Sequence, residues 1–228
     1  MDVLATEEKI IQASLSLFAR KGFEATSIRD IANEAKINTS TLYYYINNKE
    51  DILIGIMKSG LERLIAYGSE MIDGLESPVE RIASLVQLHV MAHGVNRLSA
   101  LVTDTEFRAL HGANKEKVRK LRKQYEMLWS HVIKEGIRNR LFPNIRDEKI
   151  ATFAILEMCT GVVHWYSPNG RLSLLEISRH FADMVLNLLG AEMNGKKVQV
   201  NDLMLPDPTK YYDPERIEYD INLEVLKK

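Results

Sequence analysis

The stretch "TSTLYYYINNKEDIL", residues 39–53, sets three tyrosines in a row just ahead of the charged run Asn48-Lys49-Glu50-Asp51. On a helix that begins near Thr39, side chains three and four positions apart share a face. Leu42, Tyr45 and Ile46 then turn inward, with the Tyr45 hydroxyl left near the rim, while Thr39, Ser40, Thr41, Tyr43 and Tyr44 turn outward. An outward surface of short hydroxyls and two rigid phenols offers donors to phosphate oxygens and apolar edges to a thymine methyl, which suits a helix lying in a DNA major groove. Lys49, at the start of the next helix, is expected to hold a phosphate with its ammonium beside the helix amides.

Working back from this stretch, Lys36-Ile37-Asn38 is a turn of about three residues, the spacing of a helix-turn-helix. Before it, Ser27-Ile28-Arg29-Asp30 reads as a capping box that opens a short helix ending near Lys36, with Ile28, Ile31, Ala32 and Ala35 facing inward. A first helix runs from Glu7 through Ile10, Ile11, Leu15, Leu17 and Phe18 and stops at Gly22.

Working forward, the apolar period predicts long amphipathic helices at roughly 49–73, 77–93, 97–112, 114–141, 147–166 and 172–189. Gly74, Ser77-Pro78, Phe142-Pro143-Asn144 and Ser167-Pro168-Asn169-Gly170 punctuate them. The fold class expected is all-α, with a three-helix helix-turn-helix DNA-binding domain at 1–50, a larger helical domain at 51–190, to which the family likeness given below assigns ligand binding and dimerisation, and an irregular extension at 191–228 that is ordered only if it docks on the body.

The 228 residues carry a formal net charge of −1, which gives no global sign of a nucleic-acid partner. The N-terminal fifty residues do not supply one either, with six basic and seven acidic side chains. Any such partner must be met by a local surface. The single Cys159 forms no intrachain disulfide and, in an apolar helix stretch, reads as an inert buried thiol. With no apolar run of about 18 residues and no basic-then-apolar start, the chain is expected to be soluble and cytoplasmic, without a membrane partner.

The residues 19–53, "ARKGFEATSIRDIANEAKINTSTLYYYINNKEDIL", closely resemble the N-terminal DNA-binding domain of the TetR family of transcriptional regulators. Gly22-Phe23, Thr26-Ser27, Ile31-Ala32, Thr41-Leu42-Tyr43 and Lys49-Glu50 are the landmarks, in order and at the expected spacing. The resemblance implies a homodimer that places two helix-turn-helix units on palindromic double-stranded operator DNA, and a helical C-terminal domain whose small effector controls DNA affinity. It implies no enzymatic activity. Carried over by position, the DNA contacts are Ser27, Arg29, Thr39, Ser40, Thr41, Tyr43, Tyr44 and Lys49. The sequence departs from more basic members in lacking a charged arm before the first helix.

"VIKEGIRNRLF" and "IATFAILEMCTGVVHWYSPNGRLSLLEISRHFADMVLNLLG" resemble the C-terminal half of TetR-type regulators that respond to acyl-CoA thioesters. The Trp165-Tyr166-x-Pro-x-Gly turn carries much of that likeness. Residues 114–140 hold nine basic and three acidic side chains, a segment fit to meet the phosphates of a coenzyme A head. The expected ligand-binding residues are Arg119 and Arg122 for the head, with Met71, Leu88, Phe107, Met127, Trp129 and Trp165 for the acyl chain. A solvated charged face and ordinary core packing explain the same residues without a ligand. A multidrug or aromatic-compound sensor, or a helical acyl-CoA-binding protein without DNA function, remains open at this point.

His89 and His93, one turn apart, have chelating spacing but no acidic or cysteine partner nearby and no HExxH pattern, so neither a metal nor a cofactor is expected. The absence of a positioned nucleophile and base argues against an enzyme. Dimerisation is expected through the last two helices, whose Ile150, Ala154, Leu156, Met158, Val162, Leu175, Phe181, Val185 and Leu188 exceed what one helix pair needs to fold.

Overall fold

The computed structural model describes residues 3–214, with side chains from Thr6 onward. The helices are α1 (Val3–Lys21), α2 (Ile28–Glu34), α3 (Thr39–Tyr45), α4 (Lys49–Ile72), α5 (Pro78–Val95), α6 (Arg97–Thr105), α7 (Gly112–Arg138), α8 (Glu148–Thr160), α9 (Val162–Trp165) and α10 (Leu174–Leu189). A minimal hairpin, β1 (Glu192–Met193) and β2 (Lys196–Lys197), follows them. Three expected boundaries change. The first helix starts at Val3 instead of near Glu7. The 97–112 segment is broken by a 3₁₀ turn at Glu106–Ala109, after which extended Leu110 redirects the chain into α7. The 147–166 segment breaks at Gly161, where a Cβ would stand only 3.2 Å from the Met158 carbonyl oxygen.

Two compact units result. The first comprises 3–62 and 96–122 of the described chain, the second 63–95 and 123–214. This differs from a division at residue 50. Val102, Leu110 and Val118, from α6 to the start of α7, are buried in the same core as Phe18, Ile31, Leu42 and Ile52. The small three-helix module thus gains apolar cover that its own short helices do not supply.

In the second unit, α5 is wrapped on all sides by α8, α9, α10 and the 3₁₀ turn Pro208–Lys210. Every residue from Ile82 to Gly94 is buried. Gly94 is required at the α5–α10 crossing, because a Cβ there would come within 2.3 Å of the Leu174 side chain. At the end of α10, Gly190 adopts φ +65°, the left-handed cap that glycine reaches at least cost, and sends the chain back along the unit.

The start of the 191–228 extension docks on this body. Val198, Val200 and Tyr212 are buried, and the Val200 amide donates to Asp183 at 2.7 Å. Tyr211 and Tyr212 pack against Tyr67 at ring-centroid distances of 5.2 and 5.6 Å. Residues 215–228 of that expected extension lie outside the described residues.

Candidate nucleic-acid interface and effector region

The helix-turn-helix is fixed by local hydrogen bonds that its sequence spells out. The Ser27 hydroxyl accepts from the Asp30 amide at 3.1 Å and donates to the Asp30 carboxylate at 2.7 Å, and the Ser27 amide donates to that carboxylate as well. Lys21 adds an ion pair to the same oxygen at 2.8 Å. The Lys21 contact and the two Ser27 bonds hold the Asp30 carboxyl well below the usual carboxylate range. Ser27 therefore spends its hydroxyl on the cap, while Arg29 beside it is exposed. The turn to α3 passes through Lys36 at φ +56°.

On α3 the two faces separate as the periodicity predicts. Leu42, Tyr45 and Ile46 are buried, whereas Tyr43 is 55% and Tyr44 82% exposed. Ser40 is exposed, and Thr39 and Thr41 are half-buried. The Tyr44 ring rests edge-on against Tyr45, centroids 5.3 Å apart, which limits its rotamers without covering its hydroxyl. The structure thus places Arg29 and the hydroxyl-bearing face of α3 in the open.

Lys49 departs from expectation. Its ammonium donates to the Phe23 and Thr26 carbonyls at 2.6 and 2.9 Å and lies 4.1 Å from the centroid of the Phe23 ring. Three donors directed at backbone oxygens and an aromatic face make it a clamp on the α1–α2 loop, not an outward-pointing cation. At the same helix start Asp51 accepts from the Asn47 and Asn48 amides at 3.0 and 3.1 Å, so a carboxylate stands where a phosphate was expected.

The expected ligand-binding residues do not all fall in one unit: Met71, Leu88 and Trp129 are buried in the core of the second unit, Met127 of that unit is 58% exposed, and Phe107, Arg119 and Arg122 belong to the first. Nor are the expected head-binding arginines simply available. Arg119 pairs with Glu116, and Arg122 donates to the Thr103 carbonyl and stacks 4.4 Å from the centroid of Phe107. Trp165, stacked on Phe181, lines a surface cavity of about 650 Å³ together with Tyr166, Leu172, His180, Met184 and Asn187.

The core of the second unit contains a feature that the sequence reading missed. His89 is fully buried and bonds through Nδ1 to the Tyr125 hydroxyl and through Nε2 to the Thr160 hydroxyl, both at 3.0 Å. His93 stacks on His89 at 3.9 Å and donates through Nδ1 to the His89 carbonyl at 2.8 Å. Trp129 meets His89 edge-on. Burial, reinforced by the neighbouring His93, pushes the His89 pKa well below its ordinary value, so the ring is neutral and offers one donor and one acceptor. Burial likewise raises the Tyr125 pKa, keeping its hydroxyl protonated. The same cause lifts the Cys159 thiol to about 12, well away from thiolate chemistry. Among the described residues no group of three or more metal-ligating side chains occurs. The histidine pair that had metal spacing is spent on a hydrogen-bonded network. The signal available in the sequence was four polar residues, Ser84, Gln87, His89 and His93, within the otherwise apolar stretch 82–94.

The dimer expectation also needs correction at the residue level. Val162, Phe181 and Val185 are buried within the protomer, whereas Ile150, Phe153, Met184 and Leu188 are exposed on α8 and α10.

Comparison with known proteins agrees with the fold. The family model "Bacterial regulatory proteins, tetR family" matches residues 10–56, and "Tetracyclin repressor-like, C-terminal domain" matches residues 75–189. The chain is similar to the HTH-type transcriptional repressor KstR2 of Mycolicibacterium smegmatis, 24% identical over 180 residues that cover 78% of this chain and 88% of the relative. It is also similar to the fatty acid metabolism regulator protein of Bacillus subtilis, 24% identical over 180 residues covering 78% of this chain and 93% of the relative. Among solved structures, that of AibR in complex with isovaleryl coenzyme A and operator DNA superposes with a TM-score of 0.69 at 22% identity, covering 78% of this chain and 97% of that one.

Proposed function

The chain belongs to the TetR family and is a transcriptional repressor, not an enzyme; on that premise we propose that it binds a palindromic operator as a homodimer and releases it when an acyl-CoA thioester binds the second unit. The observation that carries the DNA reading is the exposed face of α3, on which Ser40, Tyr43 and Tyr44 stand clear of a buried Leu42–Tyr45–Ile46 seam. Thr39, Ser40 and Thr41 read base edges, Tyr43 and Tyr44 set the helix on the backbone, and Arg29 supplies charge from the start of α2.

The exposed Ile150, Phe153, Met184 and Leu188 supply an apolar stripe for the partner copy, a surface that a lone protomer would leave to water. A closed two-fold pair also presents two recognition helices to two half-sites about one helical turn apart. The chain works in the cytoplasm, where its operator lies. None of the described helices is long and apolar enough to cross a membrane.

The effector class is supported by the relatives named for fatty-acid metabolism and for an isovaleryl coenzyme A complex. Within this chain the support is the surface cavity of about 650 Å³ in the second unit, where the expected ligand residue Trp165 stands with Tyr166, Leu172 and Phe181 and offers an acyl chain an apolar wall. Release needs only differential affinity. An effector that prefers the operator-incompetent conformation about 100-fold shifts the DNA equilibrium by about 2.7 kcal/mol.

Fluorescence anisotropy on DNA from the region upstream of the protein's own gene tests the reading. Wild-type protein should bind as a dimer and be released by palmitoyl-CoA at lower concentration than by palmitate. Equal response to acid and thioester would remove the acyl-CoA class. Failure of both to release a bound operator, with release by a planar aromatic cation instead, would indicate a multidrug-type sensor.

A further inference from the structure

The segment after α10 lies beyond the residues matched by the family models, which end at Leu189. In docking, it builds a cavity of about 370 Å³ where α5, α10 and the segment 200–208 meet. Three polar groups lining this cavity keep hydrogen-bonding capacity that the fold does not use. Gln87 is only 3% exposed, comes from the buried helix α5, and makes no side-chain hydrogen bond among the described residues. Its primary amide opens into the cavity from an otherwise buried residue, with two donors and an acceptor that a polar ligand can engage. Arg179 reaches the cavity from α10 and forms no ion pair or hydrogen bond among the described residues. Asp207 commits Oδ1 to the Thr209 amide and hydroxyl at 2.9 and 2.8 Å, and its other carboxylate oxygen is open to the cavity side. Those two bonds first, and Lys210 and Arg179 through space, lower its pKa and keep it ionised.

We propose that this cavity is a second ligand site, separate from the effector region, and that it takes a small aliphatic amino acid as its zwitterion. The charge pattern decides the class. A simple carboxylate would be drawn to Arg179 and repelled by Asp207, and a simple amine the reverse, while a zwitterion satisfies both in one cavity. The Gln87 amide then bonds the ligand carboxylate or ammonium from below, where water competes least. The rest of the lining is mixed, with Asn201 beside Leu175, Leu203 and Leu205, and the leucines give a short branched side chain its apolar contact. At about 30 Å³ per water-sized group, the volume holds about a dozen such groups, enough for leucine. A bound ligand bridges α5 and α10 to the segment 200–208 and so steadies it.

Isothermal titration and saturation-transfer NMR of the full chain with L-leucine test the proposal, with 4-methylpentanoate and 3-methylbutylamine as the single-charge probes. Saturable leucine binding is expected, about tenfold or more tighter than either probe, and weakened about tenfold by Arg179→Ala or Asp207→Asn. Gln87→Leu should weaken it similarly, and circular dichroism should show all three variants folded. Operator binding by the unliganded variants should match wild type. Absence of saturable leucine binding to about 10 mM, equal binding of the lone acid or amine, or indifference to all three substitutions would each overturn the site. Because the readout is leucine binding and not release of DNA by acyl-CoA, its failure leaves the effector reading untouched, and the converse holds.

Discussion

Helices α3 and α5 direct their polar groups in opposite ways. In α3, seven residues long, the hydroxyls point to solvent and the apolar residues inward. In α5, eighteen residues long, every residue from Ile82 to Gly94 is buried, and its polar side chains there point into the protein. A short helix with an open polar face is stabilised by its neighbours and offers chemistry to a large external partner. A buried helix with polar side chains must satisfy them internally or hold them for a ligand, and its sequence reveals only that something polar is there.

The largest effect that separates the two faces of α3 is on stability. Leu42 is fully buried between the first helices, so Leu42→Ala should cost about 2–4 kcal/mol in chemical denaturation. Two positions on, Tyr44→Ala should change stability by under about 0.5 kcal/mol, since that ring is mostly exposed. A harmless Leu42→Ala would mean that the helix packs by the other face.

The corresponding test on α5 is acidity. His89 is neutral in the folded state, with Tyr125, Thr160, His93 and Trp129 around it and a pKa pushed well below 6.5 by burial. The unfolded chain binds a proton there near pH 6.5 while the folded chain does not. The stability associated with His89 is therefore intact above about pH 6.5 and is lost as pH falls, at about 1.4 kcal/mol per pH unit until the folded pKa is reached. Urea titrations at pH 7.5, 6 and 5 should show this slope, and His89→Gln should remove it. A flat profile in wild type would show that the network admits a charged ring.

Lys49→Ala comes next, at about 1–2 kcal/mol of stability, because the Phe23 and Thr26 carbonyls lose charge-assisted partners. DNA affinity should fall in proportion to that destabilisation. If affinity dropped while the melting temperature held, Lys49 would have to leave the loop and meet a phosphate after all.

What was legible in the sequence follows the same contrast. Ser27 and Asp30 are three residues apart, and Leu42 and Ile46 four, so the helix-turn-helix and its faces are written in short spacings. The His89 partners are 36 and 71 residues away in Tyr125 and Thr160, beyond any local pattern, on helices α7 and α8 that meet α5 only through tertiary packing. The error at Lys49 has the same origin. Its bonds run to carbonyls 26 and 23 residues earlier, and backbone acceptors carry no residue-type signal. On α10 the expected stripe divides. Leu188 is exposed as the dimer reading requires, whereas Val185 and Phe181 are buried in the protomer core on the side where α10 packs against α5.

The smallest effect on folding is the most informative about DNA. Tyr44 carries a neutral hydroxyl, whereas Arg29 carries a charge that displaces a condensed cation when it meets a phosphate. If both touch the backbone, Tyr44→Ala should lower operator affinity about tenfold while leaving the slope of log affinity against log salt unchanged. Arg29→Ala should lower affinity and also flatten that slope by about one. Both should weaken unrelated DNA as much as operator, since phosphate contacts carry no base information. Ser40→Ala, on the same exposed face, should instead change the ranking of operator variants with little change in the slope. Anisotropy titrations across a salt series on two DNA sequences separate these outcomes. A Tyr44→Ala protein that loses operator affinity but keeps its affinity for unrelated DNA would place Tyr44 on a base edge, with the phenol reading sequence where it is assigned to hold the backbone.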